Sequence, residues 1–458
     1  MLFSWPVVTF FLYQRLPIIT ATLWSILAGA LILPVETAVD LPLIPPLNKA
    51  SVPNLAAFFV CYFFVGKRIK LLPNLGVVKG LLFIYILSPF VTALLNSDPI
   101  IAGPLFIKGM ESYDALSAVI RQMIFIIPFL LGMNLLGNSN AHEALLGVLV
   151  VAGIFYSVPM LLEIRLSPQF HKWIYGIYPR GFGQQMRNGG FRPVVFLGHG
   201  LWVAFFTMST VVASSIYWKN RSTVLGFSSG MILIYLCVVL YLCKSMASII
   251  YAIFIISLIY FIRANKQAKL AKYIVLFVVL FPLLRIADYF PGNEIASTVT
   301  SYNEQRGQSL QFRFDNEDKL LTHARERLFF GWGTWGRNRV YDKSTGKDLS
   351  VTDGRWIIVL GEYGLIGYLS EFGLLALSVI RSSRAIRYLN NRSERVTLAG
   401  LSLLMAISMV DLLPNASETP WTWLLAGALI GRAEQIKGNR KSNFSKKRNK
   451  QNGNSVRV

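Results

Sequence analysis

Read for its apolar positions, the chain alternates between long runs of Leu, Ile, Val and Phe and short polar breaks. A helix that crosses a bilayer needs about 20 mostly apolar residues, roughly 17 at the short end. Twelve candidates follow, near residues 17–33, 53–66, 80–95, 116–136, 144–162, 194–217, 223–242, 248–262, 273–288, 357–379, 396–413 and 421–433. Residues 2–13 are apolar but short, and read as an interfacial or half-inserted helix. No basic segment precedes them and no small-residue cleavage site follows, so a cleaved signal peptide does not fit. The expected fold is an all-α, polytopic membrane bundle of about twelve spans. Helices one to nine occupy 1–288, a large outer loop 289–356, helices ten to twelve 357–433, and a basic tail 434–458. The tail is rich in Lys, Arg, Asn and Ser, and is expected to be disordered.

Composition sharpens this picture. The 458 residues are 54% hydrophobic and only 15% charged, with a mean hydropathy of +0.50. Soluble domains carry about 25% charged residues, so a water-soluble enzyme is excluded. The three cysteines, Cys61, Cys237 and Cys243, lie in apolar runs without CxxC or Cys/His spacing. Neither a disulfide framework nor a metal site is expected. A net charge of +22 on so apolar a chain points to a membrane and anionic partners, not to nucleic acid. Placing the N-terminus in the cytoplasm puts the clusters Lys67–Lys79, Arg263–Lys272, Arg381–Arg395 and the tail inside, as the positive-inside rule requires. An even span number then puts both termini in the cytoplasm. The tail can hold anionic lipid headgroups or serve simply as a topology anchor.

Two outer segments break the charge rule. The first, Glu163–Pro193, carries Arg165, Lys172, Arg180, Arg187 and Arg192 against one acid, Glu163. The second, 289–356, is 68 residues long and carries ten bases, Arg313, Arg325, Arg327, Arg337 and Arg355 among them. Guanidinium forks suit a bidentate grip on phosphate, which makes these arginines candidate diphosphate ligands. The bland alternative is pairing with the loop's own acids. Within this loop Leu320, Leu321, Ala324 and Leu328 recur at helical spacing, and Gly331 is expected to end the helix. Such a helix would lie amphipathically on the outer membrane surface. Trp332, Gly333, Trp335, Gly336 and Arg337 follow as a turn whose amides could approach an anion or whose rings could stack on sugar. Asp353 and Arg355 mark the re-entry into the membrane, and Glu362 lies in an apolar run, where a carboxylate faces a cavity or a partner.

These residues carry a resemblance. The stretches SLQFR (309–313), LLTHARERLFFGWG (320–333), GEYGLIGY (361–368) and RNGGFRPVVFLGHG (187–200) resemble motifs of the O-antigen ligase / O-antigen polymerase superfamily. Resemblance by motif covers Arg187 to Gly373, the rest matching by hydropathy alone. It implies a helical membrane glycosyltransferase of the C type that needs no metal and no cofactor. The donor would be an undecaprenyl-diphosphate-linked oligosaccharide at the periplasmic face of a bacterial inner membrane. The acceptor would be a growing glycan or lipid A-core, with a chain-length regulator or export complex as a possible partner. Arg187, with Arg192 beside it, matches the family arginine before the sixth span, and Arg313 the one in the long loop. Arg325 and Arg327 fall in an ERPLFGxG-like stretch where this chain has Leu328 instead of proline. Asp353 stands where ligases carry a histidine, which favours a polymerase over a ligase.

The expected mechanism has Arg187, Arg192 and Arg313 holding the diphosphate, neutralising charge on the leaving group. Arg325, Arg355 and Lys244 are further candidate ligands. Asp353 would take the acceptor hydroxyl's proton, with His323 as the second candidate base. His142 and His199 read as structural, while His171 lies on the outer side. Lys244-Ser245, in an outer turn, reads equally as site lining or as an interface marker. Arg121 and Arg285 read as snorkelling residues. A transporter of an anion or of the lipid-linked glycan would instead place charges near mid-bilayer on broken helices. A scaffold of an export complex would tolerate loss of the outer arginines.

Overall fold

The computed structural model describes residues 1–41, 44–74, 76–178, 182–187 and 189–454, the side chains of 182, 184, 187 and 441–454 excepted. The helices are α1 (Trp5–Arg15), α2 (Ile18–Ile32), α3 (Ser51–Phe59, prolonged by a wider turn Val60–Phe64), α4 (Gly76–Leu94), α5 (Ser112–Leu135), α6 (Ser139–Leu166), α7 (Phe170–Tyr175) and α8 (Gly200–Lys219). There follow α9 (Ser229–Leu242), α10 (Met246–Phe261), α11 (Ala264–Ile286), α12 (Gly292–Tyr302), α13 (Glu304–Glu326), α14 (Arg355–Ala385), α15 (Arg392–Asp411) and α16 (Pro420–Asn454). Small antiparallel hairpins fill four connections: β1/β2 (Ala38–Leu41, Ile44–Asn48), β3/β4 (Ile100–Ala102, Leu105–Ile107), β5/β6 (Met186–Arg187, Gly190–Phe191) and β7/β8 (Thr223–Val224, Phe227–Ser228).

Every expected apolar run coincides with a helix. Six of them, α4, α5, α6, α8, α14 and α15, are long and apolar enough to cross a membrane, and α2, α3, α9 and α10 are apolar but shorter. This is the make-up of a helical membrane protein. The closest pair is α5 with α16, where Gly132, Gly427 and Gly431 leave no room for a Cβ against the opposing backbone. Small residues do this work where lipid removes any hydrophobic drive between helices.

The N-terminal segment departs from expectation. The Trp5 indole donates to the Ser25 carbonyl at 3.1 Å, and the Tyr13 hydroxyl meets that of Thr22 at 2.7 Å. Leu2, Trp5 and Leu33 share one apolar cluster. So α1 lies antiparallel along α2, because Pro17 reverses the chain and Trp5 and Tyr13 bond to α2. Met1 then lies beside Tyr175, whose hydroxyl is 3.6 Å from the Met1 Sδ. That end of the bundle is the one where Pro45 of β2 and Trp335 of the large loop border a common hollow. Met1 therefore lies toward the large-loop end of the bundle, and α16 runs from Pro420 to Asn454. Ser4→Cys, in a background without native cysteines, is expected to react with a membrane-impermeant maleimide on the same membrane side as Ser344→Cys. Ser442→Cys should react on the opposite side. Reactivity of Ser4→Cys shared with the tail would refute the antiparallel packing.

The large loop is mostly structured. Asn303 caps α13, its side chain accepting from the Arg306 N–H at 3.1 Å. Leu320, Leu321 and Ala324 are buried against the bundle, so α13 is not a helix lying on the membrane surface. It also ends at Glu326, five residues before Gly331. Beyond it, the buried Arg337 donates to the carbonyls of Asp98, Lys108 and Trp332, which fastens the loop to the α4–α5 connection. The tail, expected to be disordered, continues α16 to Asn454. No proline follows Pro420, and the tail glycines Gly438 and Gly453 do not interrupt a run rich in Lys, Arg and Asn.

Candidate functional site

The start of α14 is broken, and this decides the layout of the outer end. Gly364 adopts φ 66°, ψ −167°, a backbone conformation open to glycine alone. In a straight helix residues 355 and 371 would stand about 24 Å apart. Here the Arg355 Nε and one terminal nitrogen reach the two Glu371 oxygens at 2.8 Å each, so the first segment folds back on the second. The LFFGWG stretch holds the break open. The Leu365 and Ile366 N–H groups donate to the carbonyls of Leu328 and Phe329, and Trp332 and Gly333 donate to those of Gly361 and Glu362. A Cβ on Gly331 or Gly364 would strike this opposing backbone. The two motifs singled out in the sequence are thus halves of one backbone joint. The amides of the Gly/Trp turn serve that joint, not an anion.

Behind the joint lies a buried charge cluster. Arg355 binds Glu371 bidentately and Glu418 at 2.9 Å, while the Trp423 indole donates to Glu418. Arg121 of α5 donates to the Tyr363 hydroxyl and stands 3.5 Å from Glu362. Arg355 is therefore engaged by two acids and lies in a structural ion cluster, not free for a diphosphate as the sequence led us to expect. Arg121 is paired instead of snorkelling. Glu362 finds its partner on a helix, not in the loop. Glu371 and Glu418 were missed, although the rule applied to Glu362, that an acid in an apolar setting has a partner, points to both.

The other expected residues divide sharply. Arg325 donates to the Ile286 carbonyl at 2.8 Å and faces Asp288 at 3.8 Å. Arg327 binds the Leu95 carbonyl, Asn96 and Asp98, and stacks over Trp332 at 4.3 Å. His323 is stacked on Trp332 with ring centres 4.2 Å apart, and its Nε2 meets the Arg337 carbonyl at 3.2 Å. These three are committed to the loop's own architecture, and His323 is withdrawn as a base. Arg285 binds Asp318 at 2.8 Å between the rings of Phe290 and Phe314, so it does not snorkel. His171 and His199 satisfy backbone groups, the latter capping α8. His142 is buried against the Ala428 carbonyl.

Two groups remain, and α10 links them. Arg192 is buried where β6 meets α8, and the Lys244 ammonium lies against Gly190 of the same hairpin. Arg187 pairs with Gly190 in that hairpin, but its side chain lies outside the described residues, as does Arg180. Lys244 lies just before α10, and Tyr251 lies within that helix. Tyr251 lies within electrostatic reach of both Arg313 and Asp411. Arg313 stands 3.7 Å from Asp353 and donates one hydrogen bond, to the Pro414 carbonyl at 3.2 Å. Its side chain is 29% exposed and that of Asp353 42%. Asp411 accepts from Asn415 at 2.9 Å and Ser417 at 2.6 Å, which makes the Asn-Ala-Ser triplet a turn closure. The expected base and the expected loop arginine are thus neighbours at a solvent-facing point. Arg313, like Arg325, has one carbonyl hydrogen bond and one long ion pair, and is held more loosely than Arg327, Arg337 and Arg355. Among the described residues no cluster of metal-ligating side chains occurs.

One carboxyl next to this point titrates near neutrality. Burial pushes Glu317 up to about 7, against the pull of Arg285 at 3.4 Å and a hydrogen bond from Trp356. Its proton is held more tightly in the folded chain than in the unfolded one. Stability is therefore expected to fall as pH rises from about 4.5 through 7, by at most about 3 kcal/mol at 1.4 kcal/mol per unit. Glu317→Gln keeps the Arg285–Asp318 pair and removes that dependence. Thermal midpoints at pH 5 and pH 8 should diverge for the natural chain and converge for the variant. Parallel pH profiles would count against it.

No protein-family model matches this chain, and no curated protein matches it either.

Proposed function

We propose that the chain is a membrane glycosyltransferase that moves glycan from a lipid diphosphate to a sugar hydroxyl on the large-loop side. The loop side is read as the periplasmic face of a bacterial inner membrane, α2–α6, α8–α11 and α14–α16 as twelve spans, and α1 as a further crossing beside α2. The carrying observation is the Arg313–Asp353 pair: a partly exposed guanidinium 3.7 Å from a partly exposed carboxylate. Arg313 stabilises charge developing on the departing diphosphate, and Asp353 takes the proton of the attacking hydroxyl. Arg192 and Lys244 supply further positive potential toward the lipid. Polymerisation of surface-polysaccharide repeat units fits an aspartate at this point better than ligation to lipid A-core. The saturated pairing of Arg355 with Glu371 and Glu418 argues against a transport path, whose charges must change partners.

Purified protein in nanodiscs, given a synthetic polyprenyl-diphosphate oligosaccharide, tests this directly. Elongated lipid-linked glycan without added metal or nucleotide sugar supports the reading. An unchanged donor, in protein whose thermal midpoint shows it folded, refutes it for that donor class.

A further inference from the structure

The hollow bordered by Pro45 and Trp335 is lined by neither Arg313 nor Asp353. It has a volume of about 200 Å³ and is bounded by Pro45 and Pro46 of the first hairpin, Asp114 and Arg121 of α5, and Thr334 and Trp335 of the large loop. Three chain segments remote in sequence meet there. Its floor is the Arg121 guanidinium, 35% exposed and held by Tyr363 and Glu362. At its rim stands Trp335, 61% exposed, with φ +63°. A bulky residue is held in the left-handed region only where its surroundings insist on it, and here Gly333 and Gly336 on either side, at φ +85° and +81°, form the turn that presents the ring.

The lining selects a class of ligand. Arg121 is matched by Glu362, and Asp114 adds a second negative charge, so no excess positive charge remains for a phosphate. Asp114 uses one oxygen to accept from the Glu111 N–H at 2.9 Å, keeping the other for a partner. An exposed indole face beside two prolines, with a carboxylate and a guanidinium below, suits a ring that is apolar on its face and hydroxylated at its edge. The hollow is joined to the reacting end by charge and by chain. Arg121 pairs with Glu362, and Arg355, which acts electrostatically on Glu362, lies two residues from Asp353.

We propose that this hollow binds one neutral pyranose unit of the glycan, against Trp335, during transfer. The proposal rests on the glycosyltransferase reading above and names a subsite for it. Saturation-transfer NMR on the purified full chain in detergent tests it, with the methyl glycosides of glucose, galactose and N-acetylglucosamine, and with glucuronic acid as the charged probe. Saturation is expected on at least one neutral glycoside and not on glucuronic acid. Trp335→Ala should lower it at least about fivefold, the usual scale of an aromatic contact. Trp173→Ala, which removes an exposed indole elsewhere on the outer end, should leave it unchanged. No transfer to any neutral glycoside, preference for glucuronic acid, or equal signals with and without Trp335 would each overturn the proposal. The two readings separate cleanly. Arg313→Ala should lower glycan transfer by about two to three orders of magnitude and leave this saturation signal intact, and a protein that binds sugar here but elongates nothing would keep the subsite and discard the enzyme.

Discussion

Replacing Arg313 by alanine is expected to lower glycan transfer by about two to three orders of magnitude, the usual effect of deleting one preorganised donor to a developing oxyanion. The same change should barely affect folding. Arg313 donates one hydrogen bond to a carbonyl, and its contact with Asp353 is long and partly exposed. Such pairs contribute about 0–1 kcal/mol. Lysine at this position keeps the charge but not the fork, and should recover only part of the rate. Initial rates with a synthetic polyprenyl-diphosphate glycan, set beside thermal midpoints, separate the two effects. Equal rates for Arg313→Ala and the natural chain would remove Arg313 from the mechanism.

Arg355, only two residues beyond Asp353, is expected to behave in the opposite way. Its guanidinium answers Glu371 bidentately and Glu418 at 2.9 Å, in the interior formed by α14 and the start of α16. Arg355→Ala leaves two carboxylates facing each other without a counter-charge. Removing one partner from a buried pair costs about 3–5 kcal/mol, and the strain falls on the α14 joint itself. Arg355→Lys supplies one point charge where a planar fork binds two acids, so it should restore little. The measurement is yield of monodisperse protein and its thermal midpoint in detergent. A natural-like midpoint for Arg355→Ala would mean that the cluster does not hold the break together.

The contrast between these two arginines shows where reading the sequence stops. Both stood out for the same reason, a cation on the side of the membrane that normally lacks them. Nothing local separates Arg313 from Arg355, Arg325 or Arg327. The separation comes from acids that are distant in the chain: Glu371 sixteen residues on, Glu418 beyond another helix, Asp98 more than two hundred residues back. The Gly/Trp turn teaches the same lesson. Its glycines were rightly read as places of close backbone approach, but what approaches is the Gly361–Ile366 backbone, not a ligand.

Apolar runs of sufficient length are a one-dimensional signal, so the helices, their order and the membrane setting followed from the residues alone. Arg313 came up only as one of several outer cations, and Asp353 only through the resemblance to the ligase and polymerase motifs. The antiparallel seat of α1, the break at Gly364 and the sugar-sized hollow under Trp335 were decided only when the chain closed on itself. Each depends on which groups meet across long sequence separations, and pairing of charges and of backbone donors is set by that meeting, not by neighbours along the chain.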